Sequence, residues 1–406
     1  MTTEDDPLAR KRSRRRKTVA TSGAILFLGL LAAHLLLTRV AERRLAAIVA
    51  RLDPAGTHLA PEALAPAEVP DAENRVRLVR AAADALSIQA DERSLRLPLS
   101  SGADAKPDDL ARFAPLIARN EMSLTLLREA QRRSGSRWEF RYQDGHGMAL
   151  PSLSLIDLGN LERMTVAKAM AEADAQRPAD AIADLDLAMS VPRCLAQEPD
   201  LFLQIMRDSF QRSILNGTRR VLGGSHPTAA DLARLDAILE DMTRPDPWAA
   251  GLAAELRSMH RGLSLVEDER PHNLEDWPSW MRSRAIVWLC RPEILRQHGK
   301  LLVQIDAVAR ARTQPRARRD PIPLATSWMA SFTSEPPYVC QRADLSDARR
   351  GLARTAIALS RYHLDHGAYP DSLAELVPGY LPSTPADPFA DGAFSYADRR
   401  HGIPPR

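Results

Sequence analysis

The segment that most limits what this chain can become runs from Thr18 to Thr38. It carries no formal charge and includes Ile25-Leu26-Phe27-Leu28 and Leu35-Leu36-Leu37. As a helix it would be about 30 Å long, the thickness of a bilayer's hydrocarbon core. Arg10, Lys11, Arg12, Arg14, Arg15, Arg16 and Lys17 precede it, and Arg39, Arg43 and Arg44 follow. The positive-inside rule then assigns residues 1–17 to a basic cytoplasmic tail and residues 18–38 to a single transmembrane helix in the inner membrane. Everything after Arg39 would face the periplasm or another extracytoplasmic space. A cleaved signal peptide would have a shorter apolar region and an Ala-x-Ala site, and none precedes the polar boundary. Ser13-Arg14-Arg15 is followed by Arg16-Lys17-Thr18, where a twin-arginine signal would turn apolar. The expectation is an uncleaved, single-pass anchor. His34 stands near the outer end of the span as a residue close to the interface, since a proton relay would need partners.

The formal net charge of +3 belongs to the tail. Beyond the span, 48 basic residues meet 49 acidic ones, so the body has no global basic field and nucleic acid is not an expected partner. Aromatic residues make up only 5% while Ala and Leu dominate, which favours helix over sheet. The 30 prolines must then punctuate many short helices. The expected fold is mainly α: one N-terminal transmembrane helix, an antiparallel helical-hairpin body and a small α/β C-terminal module.

Along the chain, residues 39–70 read as a juxtamembrane helix to Leu52 followed by a spacer marked by Pro54, Pro61, Pro66 and Pro70, which would hold the body off the lipid. Residues 71–312 read as a helical extracytoplasmic body. Val76, Val79, Ala83 and Leu86 share one helical face, and Asp108 to Arg133 reads as one longer helical stretch. Trp138, Phe140 and Tyr142 alternate with charged residues into Asp144-Gly145, a hairpin signal. Leu153–Gln176 and Ala179–Ser190 form a helix pair joined at Arg177-Pro178. Ala169, Ala181, Leu185 and Ala188 fall at spacings similar to a tetratricopeptide repeat, without a second copy. Further helices are expected over Asp200–Leu222, Thr228–Met242 and Trp248–Val266, and past Pro292 from Ile294 to Ala311. Residues 313–343 are a Pro-rich strap in which Trp328, Met329 and Phe332 would dock on the body.

Residues 344–406 form the last module. Leu352, Ala356, Leu359 and Tyr362 make a stripe that stops at Gly367, and Pro370-Asp371-Ser372 opens a short second helix through Val377. Gly367, Tyr369, Pro370, Asp387, Pro388, Phe389 and Tyr396 follow an order that resembles the C-terminal part of type II secretion pseudopilins. The resemblance covers about residues 344–396 and implies a related small α/β fold ending in a strand at Tyr396. The chain departs from that family in lacking a Glu in the apolar span, in placing some 300 residues before the module, and in ending before the family's calcium loop. Neither pseudopilus assembly nor calcium binding is therefore carried over.

No chemical signature stands out. There is no Gly-x-Ser-x-Gly elbow, phosphate-cradling Gly loop or His-Glu-x-x-His. His363 and His366, at i and i+3, would reach one metal with a third ligand from Asp371 or Asp387; equally, histidines in a last helical turn complement the helix dipole. No metal or cofactor is expected. Cys194, Cys290 and Cys340 lack Cys-x-x-Cys spacing, leaving either three buried thiols or one disulfide and a spare thiol. Trp277, Trp280 and Trp288 are the densest aromatic cluster, serving either core packing or an interface. The expected function is a membrane-anchored envelope scaffold or adaptor for another protein, linked to a secretion or pilus-like system. Tyr369, Pro370, Asp387, Pro388, Phe389, Trp277 and Trp280 are its candidate interaction residues. The alternative is an envelope hydrolase acting on cell-wall polymer.

Overall fold

The computed structural model describes residues 7–53, 67–89, 92, 107–139, 155–198, 200–242, 248, 251, 277–311, 336–390 and 392–397. These residues are mainly helical, and the only β pairing among them is two isolated bridges, Asn74 with Gly135 and Ala386 with Ala393. In chain order the helices are α1 (Pro7–Leu52), α2 (Val76–Asp84), α3 (Pro107–Ala111), α4 (Ala114–Arg119), α5 (Glu121–Gln131), α6 (Leu155–Asp174), α7 (Pro178–Ala188) and α8 (Ser190–Cys194). They continue with α9 (Leu201–Gly224), α10 (Ala229–Asp241), α11 (Trp277–Ala311), α12 (Pro336–His366) and a 3₁₀ turn over Leu373–Leu376.

Many ends follow local chemistry. Pro178 opens α7 in the first turn, where its missing N–H costs nothing. Asp200 caps α9, its Oδ1 accepting from the Leu203 N–H at 2.8 Å. Thr228 and Asp231 form a reciprocal capping box on α10: the Asp231 N–H donates to Thr228 Oγ1 at 3.2 Å, and the Thr228 N–H donates to Asp231 Oδ2 at 3.0 Å. The stretch from Asp108 to Arg133 is three helices rather than one. Asn120 breaks it, because its side chain is bonded to the Ser87 N–H (2.7 Å), the Ser87 carbonyl (3.1 Å) and the Leu116 carbonyl (2.8 Å). A side chain that satisfies backbone 33 residues away holds its own backbone out of helical register.

The main core lies among α2, α5, α6, α7, α9 and α10, with Val79, Leu127, Leu161, Ile182, Ile214 and Leu235 fully buried. Ala169, Ala181, Leu185 and Ala188 all point into it. Helices α6 and α7 pack along each other after the turn at residues 175–177, and Lys168 on α6 pairs with Asp184 on α7. Trp138 does not sit in a strand. It is buried, with its indole N–H bonded to the Cys194 carbonyl at 2.8 Å and its backbone N–H to Glu198 Oε1 at 2.9 Å. The rest of that hairpin signal, Phe140 to Gly145, lies outside the described residues. So do the spacer from Pro54 to Pro66, most of Trp248–Val266, and Trp328, Met329 and Phe332.

Two corrections concern the long helices. Residues 313–343 do not form one strap: α12 starts at Pro336, because two prolines fit a first helical turn that would leave their nitrogens unbonded anyway. Pro292 does not divide its segment either. It lies inside α11, which runs on beside α1. Trp288 lies against His34 with ring centroids 4.1 Å apart and planes tilted by 49°, Arg291 pairs with Glu42 at 3.2 Å, and Gly299 lies against Leu45 and Ile48. Residue numbers rise together, so α11 and α1 are parallel. The chain beyond the spacer thus returns to α1 rather than standing clear of it.

One element joins the parts. On α12, Val339, Cys340 and Ala343 pack with Leu301, Ile305 and Val308 of α11, Leu201 and Trp248 in a second core. Fourteen residues further on, Ile357 enters the main core, and Ala358 belongs to the core of the C-terminal module. Arg342 reaches Asp208 on α9 at 3.1 Å, and Arg354 reaches Asp236 on α10 at 2.8 Å.

Candidate functional site

The C-terminal module is built around the end of α12. Gly367 stops the helix with φ of +70°, a conformation that side-chain-bearing residues rarely adopt. The chain turns back through Pro370 to a 3₁₀ turn fixed by a second capping box, in which the Ser372 N–H donates to Glu375 Oε1 at 2.9 Å. Leu373, Leu376 and Leu381 then close on Ala358, with Tyr362, Phe394 and Tyr396 around them. Gly351 is needed here: a Cβ on it would lie 2.8 Å from the Phe394 ring. The strand expected to end at Tyr396 is absent among the described residues. The chain folds back on itself here instead, with the Asp387 N–H bonded to the Gly392 carbonyl at 2.8 Å and a lone bridge between Ala386 and Ala393. A strand needs a partner edge, and this turn consumes its own backbone groups.

The module carries a polar aromatic cluster. The Tyr362 hydroxyl donates to Glu375 Oε2 at 3.1 Å, and the Tyr380 hydroxyl donates to Asp365 Oδ2 at 2.7 Å. Both phenols are held above their usual pKa by these carboxylates, and the Ser372 backbone N–H holds Glu375 below its own. The two histidines do not converge on one metal. His363 stacks on Tyr369 at 4.6 Å, while His366 stacks on Tyr362 at 4.1 Å with its Nδ1 3.0 Å from the Tyr362 carbonyl oxygen. Among the described residues no group of three or more His, Cys, Asp or Glu side chains is placed to hold a metal ion.

The candidate interaction residues fall into separate places. Tyr369 and Phe389 are 43% and 38% exposed, and Leu364, five residues before Tyr369, is 53% exposed. Pro370 is buried, and Asp387 and Pro388 are half-buried. The Asp387 carboxylate is occupied as a turn device, accepting from the Phe389 N–H at 2.8 Å. Trp277 and Trp280 belong instead to the first turns of α11. Their neighbour Trp288 is half-exposed against α1, so that cluster's third member is not a core residue. By sequence Tyr362 reads only as part of a helical stripe, and Asp365, Glu375 and Tyr380 are not among the candidate interaction residues, although Ser372-x-x-Glu375 is a readable capping pattern.

Two other groups bear on chemistry. The three cysteines are not joined in a disulfide. Cys194 and Cys340 are buried, but Cys290 is exposed, which corrects the picture of three buried thiols. Burial pushes the Cys194 thiol far above its ordinary pKa, which leaves it inert as a nucleophile. Glu162, on α6, is 1% exposed, and burial raises its pKa to about 8. A carboxyl sealed at that depth cannot meet a substrate.

No protein-family model, curated protein or solved structure matches the chain. Its function has to be read from its own residues.

Proposed function

We propose that the protein is a membrane-anchored scaffold or adaptor of the bacterial envelope. It would cross the inner membrane once through residues 18–38, with its N-terminus in the cytoplasm. It would hold a body of antiparallel helix pairs outside, and present a small pseudopilin-like module to a protein partner of a secretion or pilus-like system. Support for the anchor is the stretch Ala20–Leu52, with a mean hydropathy of 2.0 over its most apolar window and Ile25, Leu26, Phe27 and Leu28 at least 60% exposed. Such a surface is stable only when lipid or protein covers it.

The observation that carries the adaptor reading is the path of α12. A single helix contributes to the core beside α11, to the main core and to the module's core. Because α11 in turn lies on α1, the module is held at a fixed place relative to the anchor. That is what a display device requires and a tethered enzyme does not. Among the described residues the groups that would suit a hydrolase are turned to other uses: Glu162 is sealed in the core, and His363 and His366 stack on separate tyrosines.

The test is crosslinking in intact cells followed by mass spectrometry. It should compare the full chain with a full chain carrying Tyr369→Ala and Phe389→Ala. Removing the module altogether would also remove Ile357 and Arg354 from the body. Loss of a reproducible protein partner in the double variant, with unchanged membrane fractionation and thermal stability, is the expected result. An identical set of partners would refute the module's role.

A further inference from the structure

Where α12 packs on α9, three arginines gather around one carboxylate. Arg342 of α12 donates from Nε to Asp208 Oδ2 at 3.1 Å and from its guanidinium tip to Ser209 Oγ at 2.6 Å. Arg212, one turn beyond Asp208 on α9, reaches the same Asp208 oxygen at 3.3 Å. Arg349 lies two turns beyond Arg342 and so on the same face of α12. Burial and the charges of Arg212 and Arg342 hold the Arg349 guanidinium below its usual pKa, with Asp208 pulling the other way.

These charges are not settled among themselves. Asp208 is 3% exposed, and its Oδ2 already serves two guanidiniums. The Arg212 Nε is shut off from water without a hydrogen-bond partner. Arg349 is half-buried, and among the described residues no hydrogen bond or ion pair holds it. Other half-buried arginines of the body are matched: Arg354 grips Asp236 through two bonds, and Arg193 lies between Asp186 and Asp241. Three guanidiniums against one carboxylate leave two positive charges here among the described residues. Half-desolvated like charges are costly to hold together, so the patch favours an anion from outside. A carboxylate would bring one negative charge, whereas a phosphate monoester brings about 1.5–2 at neutral pH and three acceptor oxygens. The planar fork of a guanidinium also matches phosphate geometry.

We propose that Arg212 and Arg349, with Arg342 beside them, form a binding site for a phosphate group at the α9–α12 contact. The site is separate from the exposed rings of the C-terminal module and does not depend on the adaptor reading. Arg342 and Arg349 lie on the stretch of α12 that leads from Ala343 in the second core to Ile357 in the main core. Bound phosphate would therefore fasten α12 to α9 between the two.

The experiment is thermal unfolding of the full chain in detergent, in inorganic phosphate, in glycerol phosphate and in chloride at matched ionic strength. For a site with a dissociation constant of about 1 mM, phosphate at about 20 mM should favour the folded state about twentyfold over chloride. That corresponds to a rise in Tm of about 3–7 °C. Arg349→Gln loses no bond to the protein and removes a repelled charge. In chloride it should melt at or slightly above the wild type, and the gain from phosphate should disappear. An equal gain from glycerol phosphate would assign the site to a phosphate carried on a larger molecule, and a gain from inorganic phosphate alone would assign it to the free ion. Equal melting of the wild type in phosphate and chloride would overturn the proposal. So would a full phosphate gain in Arg349→Gln, which would place the ion elsewhere, or a lower Tm of that variant in chloride, which would show that Arg349 serves the fold instead.

Discussion

Replacing Glu162 with Gln isolates the cost of burying a carboxyl in the body. The side chain is 1% exposed on α6, and burial raises its pKa from 4.5 to about 8, with Ser213 and Arg163 offsetting only part of the rise. The folded chain therefore keeps a proton at neutral pH that the unfolded chain gives up near pH 4.5. The sign follows: the unfolded state binds fewer protons between these two pKa values, so stability falls as pH rises through that window and levels off above it. The slope is about 1.4 kcal/mol per pH unit, which makes the loss between pH 4.5 and 7 about 3 kcal/mol. Gln has nearly the same volume and does not titrate. Glu162→Gln should match the wild type near pH 4.5 and exceed it by about 3 kcal/mol at pH 7, roughly 6–12 °C in Tm for a domain of this size. Thermal unfolding of the full chain in detergent, followed by far-UV circular dichroism across this pH range, reads the difference directly. Other titrating groups cancel between the two proteins. A gap that stays constant with pH would refute the buried-acid reasoning.

Two further perturbations test how the parts are joined. Arg342→Ala removes the link from α12 to Asp208, which is 3% exposed and is then left with Arg212, at 3.3 Å, and the nearby charge of Arg349. The expected cost is about 2 kcal/mol in chemical denaturation, and a loss below half of that would show that the pair does not fasten α12 to α9. Gly351→Val drives a side chain into the Phe394 ring and should unseat residues 386–396, exposing them to limited proteolysis while the main core melts as before. Unchanged protection of that segment would mean that Phe394 has another seat.

Much of the local structure was legible. The apolar span, the helix start after Thr228 and the stop at Gly367 all depend on neighbours within a few residues, and so leave a pattern in the sequence. The alanines of α6 and α7 were readable for the same reason, since helical spacing alone puts Ala169, Ala181 and Ala188 on buried faces. The break at Asn120 was not readable, because its cause is the backbone of Ser87, brought near by folding. Prolines misled in two places. Pro292 suggested a break and Pro336-Pro337 a strap, yet a proline's effect depends on whether its missing N–H and its ring meet anything in the packed chain. The candidate site was half legible. Tyr369 and Phe389 were named and are exposed, but the hydrogen-bonded set of Tyr362, Asp365, Glu375 and Tyr380 emerges only when the chain beyond Gly367 folds back on α12.

The sequence by itself determined that this chain makes helices and that one of them is apolar enough to cross a membrane, because propensity, capping and hydropathy act over single turns. Only the tertiary structure decided that α11 lies parallel on α1 and that α12 runs unbroken through three cores. Those outcomes depend on contacts such as Arg291 with Glu42, 249 residues apart, whose energies exist only once both surfaces have been built.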